Sequence, residues 1–118
     1  MKNLLRTSRA DTAVDTSIEQ RRAPRHMVQA GITFEGEGHS GKGRIYNMST
    51  WGCAVESPTN LTLGTYVGVT LNLPNEPAPV EVELAAVRWT TPRRFGVEFL
   101  SVSRASRRRL DQFLGVQP

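Results

Sequence analysis

The chain holds a single cysteine, Cys53, in 118 residues. A disulfide framework is therefore excluded within one chain, as is a zinc site built on several thiolates. Histidine is almost as scarce, with only His26 and His39, and no local pattern sets a nucleophile beside a base, so a binding module is expected rather than an enzyme. Aromatic residues make up only 7% of the chain, which promises a modest core. No apolar run is long enough to cross a bilayer, and the opening "MKNLLRTSRADTAVDTSIEQ" lacks an apolar stretch of signal-peptide length. With a lone thiol besides, a cytoplasmic protein is expected. The glycosylation triplets at Asn47-Met48-Ser49 and Asn60-Leu61-Thr62 then lose their meaning.

Lysine is also rare. Lys2 and Lys42 are the only two, so the net charge of +4 is carried almost wholly by arginine. A pI near 10.0 points to an anionic partner, be it nucleic acid, membrane or a small phosphate. Arginine narrows the chemistry, because its planar fork matches phosphates and guanine edges two bonds at a time where lysine offers a point charge.

The length suits one domain with a tail. Residues 1–18 are polar with sparse apolar positions and read as a flexible tail; the domain is expected over 19–115. Val28, Ala30, Ile32 and Phe34 alternate with polar residues or glycine, the period of a half-buried strand. "GEGHSGKG" reads as a hairpin loop with His39 at its tip. Strands are expected again at Gly43–Tyr46, Cys53–Glu56, Val67–Leu73, Val80–Trp89 and Phe95–Phe99, with a bulge near Ala85-Ala86 where the apolar phase changes. Six short strands with no helix between them imply a small antiparallel β-barrel, since closure removes exposed edges. "SRASRRRLDQFLG" differs in kind: Ser103 suits an N-cap, Leu110, Phe113 and Leu114 are helically spaced, and Gly115 suits a stop. A C-terminal α-helix against the barrel is expected, with Arg107, Arg108 and Arg109 on a solvated face. Gly36, Gly38, Gly41 and Gly43 lack the lysine and helix of a phosphate loop and read as turn residues. Cys53 reads as a small core residue and Trp51 as packing.

Two short motifs remain. Arg21 and Arg25 are spaced Arg-x-x-x-Arg, and Asn47-Met48-Ser49-Thr50-Trp51-Gly52 reads Asn-x-Ser-x-x-Gly. Either alone fits a plain structural reading, a basic linker stiffened by Pro24 or an Asx-turn at Asn47. In this order, with a strand between them and "VRWT" and "FGVEFL" beyond, they resemble the signatures of the PilZ domain, a bacterial receptor module for cyclic di-GMP. The resemblance covers roughly residues 19 to 115.

That resemblance implies a mainly β fold, a small six-stranded barrel with a C-terminal helix, and cyclic di-GMP as ligand with no other cofactor. It implies that Arg21 and Arg25 clamp phosphate and guanine, with Arg22 a third contact, and that Asn47 and Ser49 on the barrel surface bond a guanine edge. Gly52 then lets the backbone turn or approach closely. Gln20, His26 and Trp51 are further candidates. Gln20 holds the position that in this family bears on whether one ligand or an intercalated pair binds, and it is neither of the usual residue types. The expected mechanism is a switch, a leader that orders over the barrel on binding and is read by a downstream protein partner. A ligand-free scaffold and a single-stranded nucleic-acid binder remain as alternatives, the latter wanting aromatics interleaved along one face.

Overall fold

The computed structural model describes residues 24–115. Six strands form in chain order: β1 (Ala30–Gly36), β2 (His39–Ser49), β3 (Gly52–Glu56), β4 (Tyr66–Asn72), β5 (Val80–Thr91) and β6 (Arg94–Ser101). They close as β1-β2-β3-β6-β5-β4, every pair antiparallel, because β1 pairs with both β2 and β4. The alternation in the sequence is what closes the barrel. Ile32, Phe34, Val55, Val69, Leu71, Val97 and Phe99 point into one core, where Phe34 and Phe95 meet edge to face with centroids 5.4 Å apart. Cys53 lies in the same core, and burial pushes its thiol up to about 12, against a smaller opposing pull from Arg25. Such a thiol is inert.

Helix α1 (Arg104–Leu114) follows β6. The side chain of Ser103 accepts a hydrogen bond from the Ser106 N–H at 3.1 Å, satisfying one free donor of the first turn. At the other end Gly115 turns left-handed, with φ 74°, and its N–H reaches back to the last carbonyls. Leu110 and Leu114 are buried in the barrel core and Phe113 packs against it, so α1 plugs one end.

Three expectations need correction. "GEGHSGKG" is not a long loop, since β1 and β2 are joined by the two-residue turn Glu37-Gly38, with φ of 52° and 78°. Positive φ at both central positions gives the hairpin turn whose twist matches its strands. His39 is thus the first residue of β2, still exposed, and Gly43 is a strand residue that a side chain would press to 2.4 Å from the Glu56 carbonyl. The bulge in β5 lies earlier than expected, between Val82 and Ala85, where Glu83 and Leu84 oppose Gly68 alone on β4, turning Leu84 outward and Ala85 into the core. A second irregularity between Val87 and Trp89, and a third in β2 between Ile45 and Asn47, are absent from the sequence reading. The third correction concerns the helix arginines. Arg107 and Arg109 are not solvated: Arg109 donates to the Pro79 and Ala78 carbonyls and pairs with Glu76 at 3.1 Å, while Arg107 binds the β2–β3 hairpin.

Candidate functional site

Of the first motif, Arg25 is among the described residues, and it meets the barrel beside β2. His26 and Met48 exchange both backbone hydrogen bonds, at 2.8 and 3.0 Å, so the chain entering the fold pairs antiparallel with the end of β2. That bridge sets Arg25 next to Asn47. The Arg25 Nη1 donates to the Asn47 Oδ1 at 3.1 Å, joining the last residue of the first motif to the first residue of the second. Arg25 is exposed and Asn47 half-buried, so the pair faces solvent. The bulge at Tyr46 is what permits it: an extra residue between Ile45 and Asn47 lets Met48 return to the core while Asn47 stays outside. His26 is half-buried, and its Nε2 is shut from solvent with no hydrogen-bond partner among the described residues.

The rest of the second motif divides in role. Ser49 is not on the surface: it is fully buried, and its Oγ accepts the Trp51 N–H at 3.1 Å, shaping the turn instead of facing outward. Trp51 also accepts a hydrogen bond from the Phe99 N–H at its own carbonyl, at 2.8 Å. Gly52 opens β3, buried and opposite Ser49 and Glu98, and the left-handed glycines among the described residues are Gly36, Gly38, Gly64 and Gly115. A sharp turn at Gly52 is thus replaced by an extended strand residue. Gln20, Arg21 and Arg22 lie outside the described residues.

Register places Asn47, Ala54, Gly96 and Trp89 abreast on β2, β3, β6 and β5. Since Val55, Phe95 and Val97 fill the core, this row faces outward, about 14 Å wide at the usual strand spacing. Its two middle residues, Ala54 and Gly96, are small and buried. The Trp89 indole lies so close over Gly96 that a Cβ there would collide with its Nε1, yet Trp89 as a residue stays 40% exposed. The next row holds Ser49, Gly52, Glu98 and Ala86. The Glu98 carboxylate is nearly buried and takes the Arg88 Nε–H at 2.7 Å, which compensates a charge that is costly when alone. On the other side, Glu56 binds Arg44 and Arg94, each at 3.0 Å, and Arg94 lies over the Tyr46 ring at 4.7 Å. The hydrogen bond from Arg44, then that from Arg94, holds the Glu56 carboxyl below its usual range.

Arg44, Arg88, Glu98, Gly96 and Trp89 were not singled out from the sequence. The signals were present: a glycine between two core residues marks a close approach, and a glutamate inside "FGVEFL" needs a partner. Elsewhere, a groove across β1, β4 and β5 is rimmed by Glu35, Glu81 and Glu83 with Lys42, the wrong sign for an anion.

A small closed barrel with Arg25 hydrogen-bonded to Asn47 at its rim, and an outward row that ends in Trp89, has the form of a binding module. The PilZ domain model matches residues 19–115, so the chain is a member of the PilZ family. No curated protein matches it. Among solved structures, the Bacillus subtilis inhibitor of motility MotI/DgrA is similar in fold, with a TM-score of 0.64 at 22% identity over 79% of this chain. The chain spans 48% of that protein's chain. PilZ domains are regulatory binding domains, and among the described residues no helix is long and apolar enough to cross a membrane.

Proposed function

We propose that this PilZ domain binds cyclic di-GMP on the outer row of β2, β3, β6 and β5, with its arginine leader closing over the ligand. The observation that carries this reading is the Arg25–Asn47 hydrogen bond, which turns two separate motifs into one contact. Arg25 uses only the carbonyl oxygen of Asn47, leaving the amide N–H groups to donate to guanine O6 or N7. The remaining donors of Arg25 are free to take a phosphate. Arg21 and Arg22 add charge from the leader, and Gln20 stands where one ligand is distinguished from an intercalated pair. The exposed side of Trp89, whose indole lies over Gly96, offers a surface on which a purine can stack. The buried Nε2 of His26, beside the same contact, has no hydrogen-bond partner among the described residues. Ser49 serves from behind, by fixing the turn.

Occupancy is read by a partner protein through the ordered leader, a regulatory output that fits the neighbour's title as an inhibitor of motility. A ligand-free scaffold is the second reading, and the outward Tyr66, Leu84 and Leu100 around Ala86 favour it, since together they make an apolar surface suited to a protein. Single-stranded nucleic acid fits less well, because Tyr46 and Trp51 already stack under Arg94 and Arg107.

Titration calorimetry with cyclic di-GMP tests the reading. A micromolar ligand is bound with about −8 kcal/mol, and losing one partner of a desolvated charged contact costs about 2–5 kcal/mol. Arg21→Ala and Arg25→Ala are each expected to weaken binding by about 30-fold or more. A folded wild type giving no heat at roughly 100 μM ligand, well above a micromolar dissociation constant, sinks the reading in favour of the scaffold.

A further inference from the structure

The tip of the β2–β3 hairpin, Thr50-Trp51, is held from three sides. Ser49 Oγ ties the Trp51 N–H from within the loop, and the Phe99 N–H of β6 ties its carbonyl. The third hold comes from 57 residues away in sequence: Arg107 of α1 donates its Nη1 to the Thr50 carbonyl and lays its guanidinium over the Trp51 ring, 5.0 Å from the centroid. The four arginines of the helix are not equivalent. Arg104 and Arg108 are exposed, Arg109 is engaged by Glu76 and two carbonyls, and Arg107 alone reaches the hairpin whose residues carry the second motif.

Arg107 is half-buried with no carboxylate within ion-pairing distance among the described residues, and desolvation lowers its pKa against a smaller opposing pull from Asp111. A cation in that setting is held by the carbonyl and the π face, whose value rises as water is excluded. The body of α1 is in turn fixed by Leu110 and Leu114 in the core. Hairpin tip and helix therefore move together or break a half-buried contact. An anion seated beside Asn47 also draws the guanidinium toward the tip, so ligand and helix pull on the hairpin in the same sense.

We infer that Arg107 is a positioning residue for the dinucleotide site, a latch through which occupancy of the Asn47–Gly52 hairpin strengthens the docking of α1 and docking of α1 strengthens ligand binding. The inference rests on the function proposed above. By linkage the two effects are reciprocal, and couplings of this kind span about 5–150-fold. The exposed face of the helix, with Arg104 and Arg108, thereby carries the state of the site to a partner.

The test combines calorimetry with amide hydrogen exchange on four proteins: wild type, Arg107→Gln, Arg107→Lys and Arg108→Gln. Arg108→Gln removes the same charge from the same helix without touching the latch, and circular dichroism melting confirms that each variant folds. With cyclic di-GMP, Arg107→Gln is expected to bind about tenfold more weakly, Arg108→Gln like wild type, and Arg107→Lys in between, since lysine keeps the charge but lacks the planar face. Ligand should slow exchange in α1 of wild type and leave α1 of Arg107→Gln unchanged. Equal affinity of Arg107→Gln and wild type, or equal ligand-induced protection of their helices, overturns the inference. If wild type binds no cyclic di-GMP, the proposed function fails by itself and the ligand-free exchange decides the latch: faster exchange at Thr50–Cys53 in Arg107→Gln than in Arg108→Gln upholds it, and identical rates overturn it.

Discussion

Two arginines grip the same hairpin from opposite directions, and they differ in everything but side chain. Arg25 arrives from the leader, stays exposed and bonds a side-chain carbonyl at the start of the second motif; Arg107 arrives from α1, is half-buried and holds the hairpin tip by a main-chain carbonyl and an aromatic face. An exposed guanidinium with spare donors can exchange water for a ligand at little cost, whereas a desolvated one has already committed its bonds to the fold. The same residue type thus makes a contact surface at one end of the loop and a support at the other.

That difference can be broken experimentally, beginning where the effect is largest. Arg25→Ala should abolish most of the dinucleotide affinity while leaving thermal stability almost unchanged, because an exposed side-chain hydrogen bond adds little to the fold. A melting temperature that falls as far as the affinity would make Arg25 another support and erase the contrast. Gly96→Ala acts on the floor of the row: the new methyl group collides with the Trp89 indole. Overpacking of this kind costs about 1–3 kcal/mol, read as a lower melting temperature in calorimetric scans with the Arg107 contact intact. A stability equal to wild type would show the indole to be loosely seated.

Glu56→Gln should give the smallest effect and a pH signature. Arg44 and Arg94 depress the Glu56 pKa, so the stability it contributes is present above the ordinary carboxyl value of 4.5 and is lost as pH falls through the depressed one. Wild type should therefore lose more stability than Glu56→Gln on acidification through that window, and parallel melting curves would show the two ion pairs to be idle. The Glu56 side chain is half-buried and its partner Arg44 is exposed, so solvent screens the pair and keeps the difference small.

The fold was legible in the sequence wherever a period of two exposed it. Val67, Val69 and Leu71 lie in β4 as their alternation requires, and Ser103 and Gly115 cap α1 as their chemistry requires. Glycine misled, because the same residue serves a turn at Gly38 and a crowded strand at Gly41, where a side chain would strike the Phe34 ring, and only the register of β1 against β2 separates the two. The motifs announced Asn47 and Arg25 but not their contact, which depends on a bulge at Tyr46 that no local pattern marks. Arg107 was unreadable for a plainer reason. Its exposure is decided by Thr50 and Trp51, far away in the chain, so a run of three arginines on a helix looked like a wetted face. Ser49 was recognised as a motif residue, but its burial behind the hairpin follows from the tertiary structure alone.

A ligand seated on the outer row beside the Arg25–Asn47 contact would change the surroundings of those residues before any others. Nitrogen-15 chemical-shift mapping during a cyclic di-GMP titration tests this placement most directly. The largest shifts are expected at Arg25, the Asn47 side-chain amide, Ala54, Gly96 and the Trp89 indole, with Glu35, Glu81 and Glu83 on the acidic groove unmoved. Shifts centred on that groove, or none at saturating ligand, would contradict it.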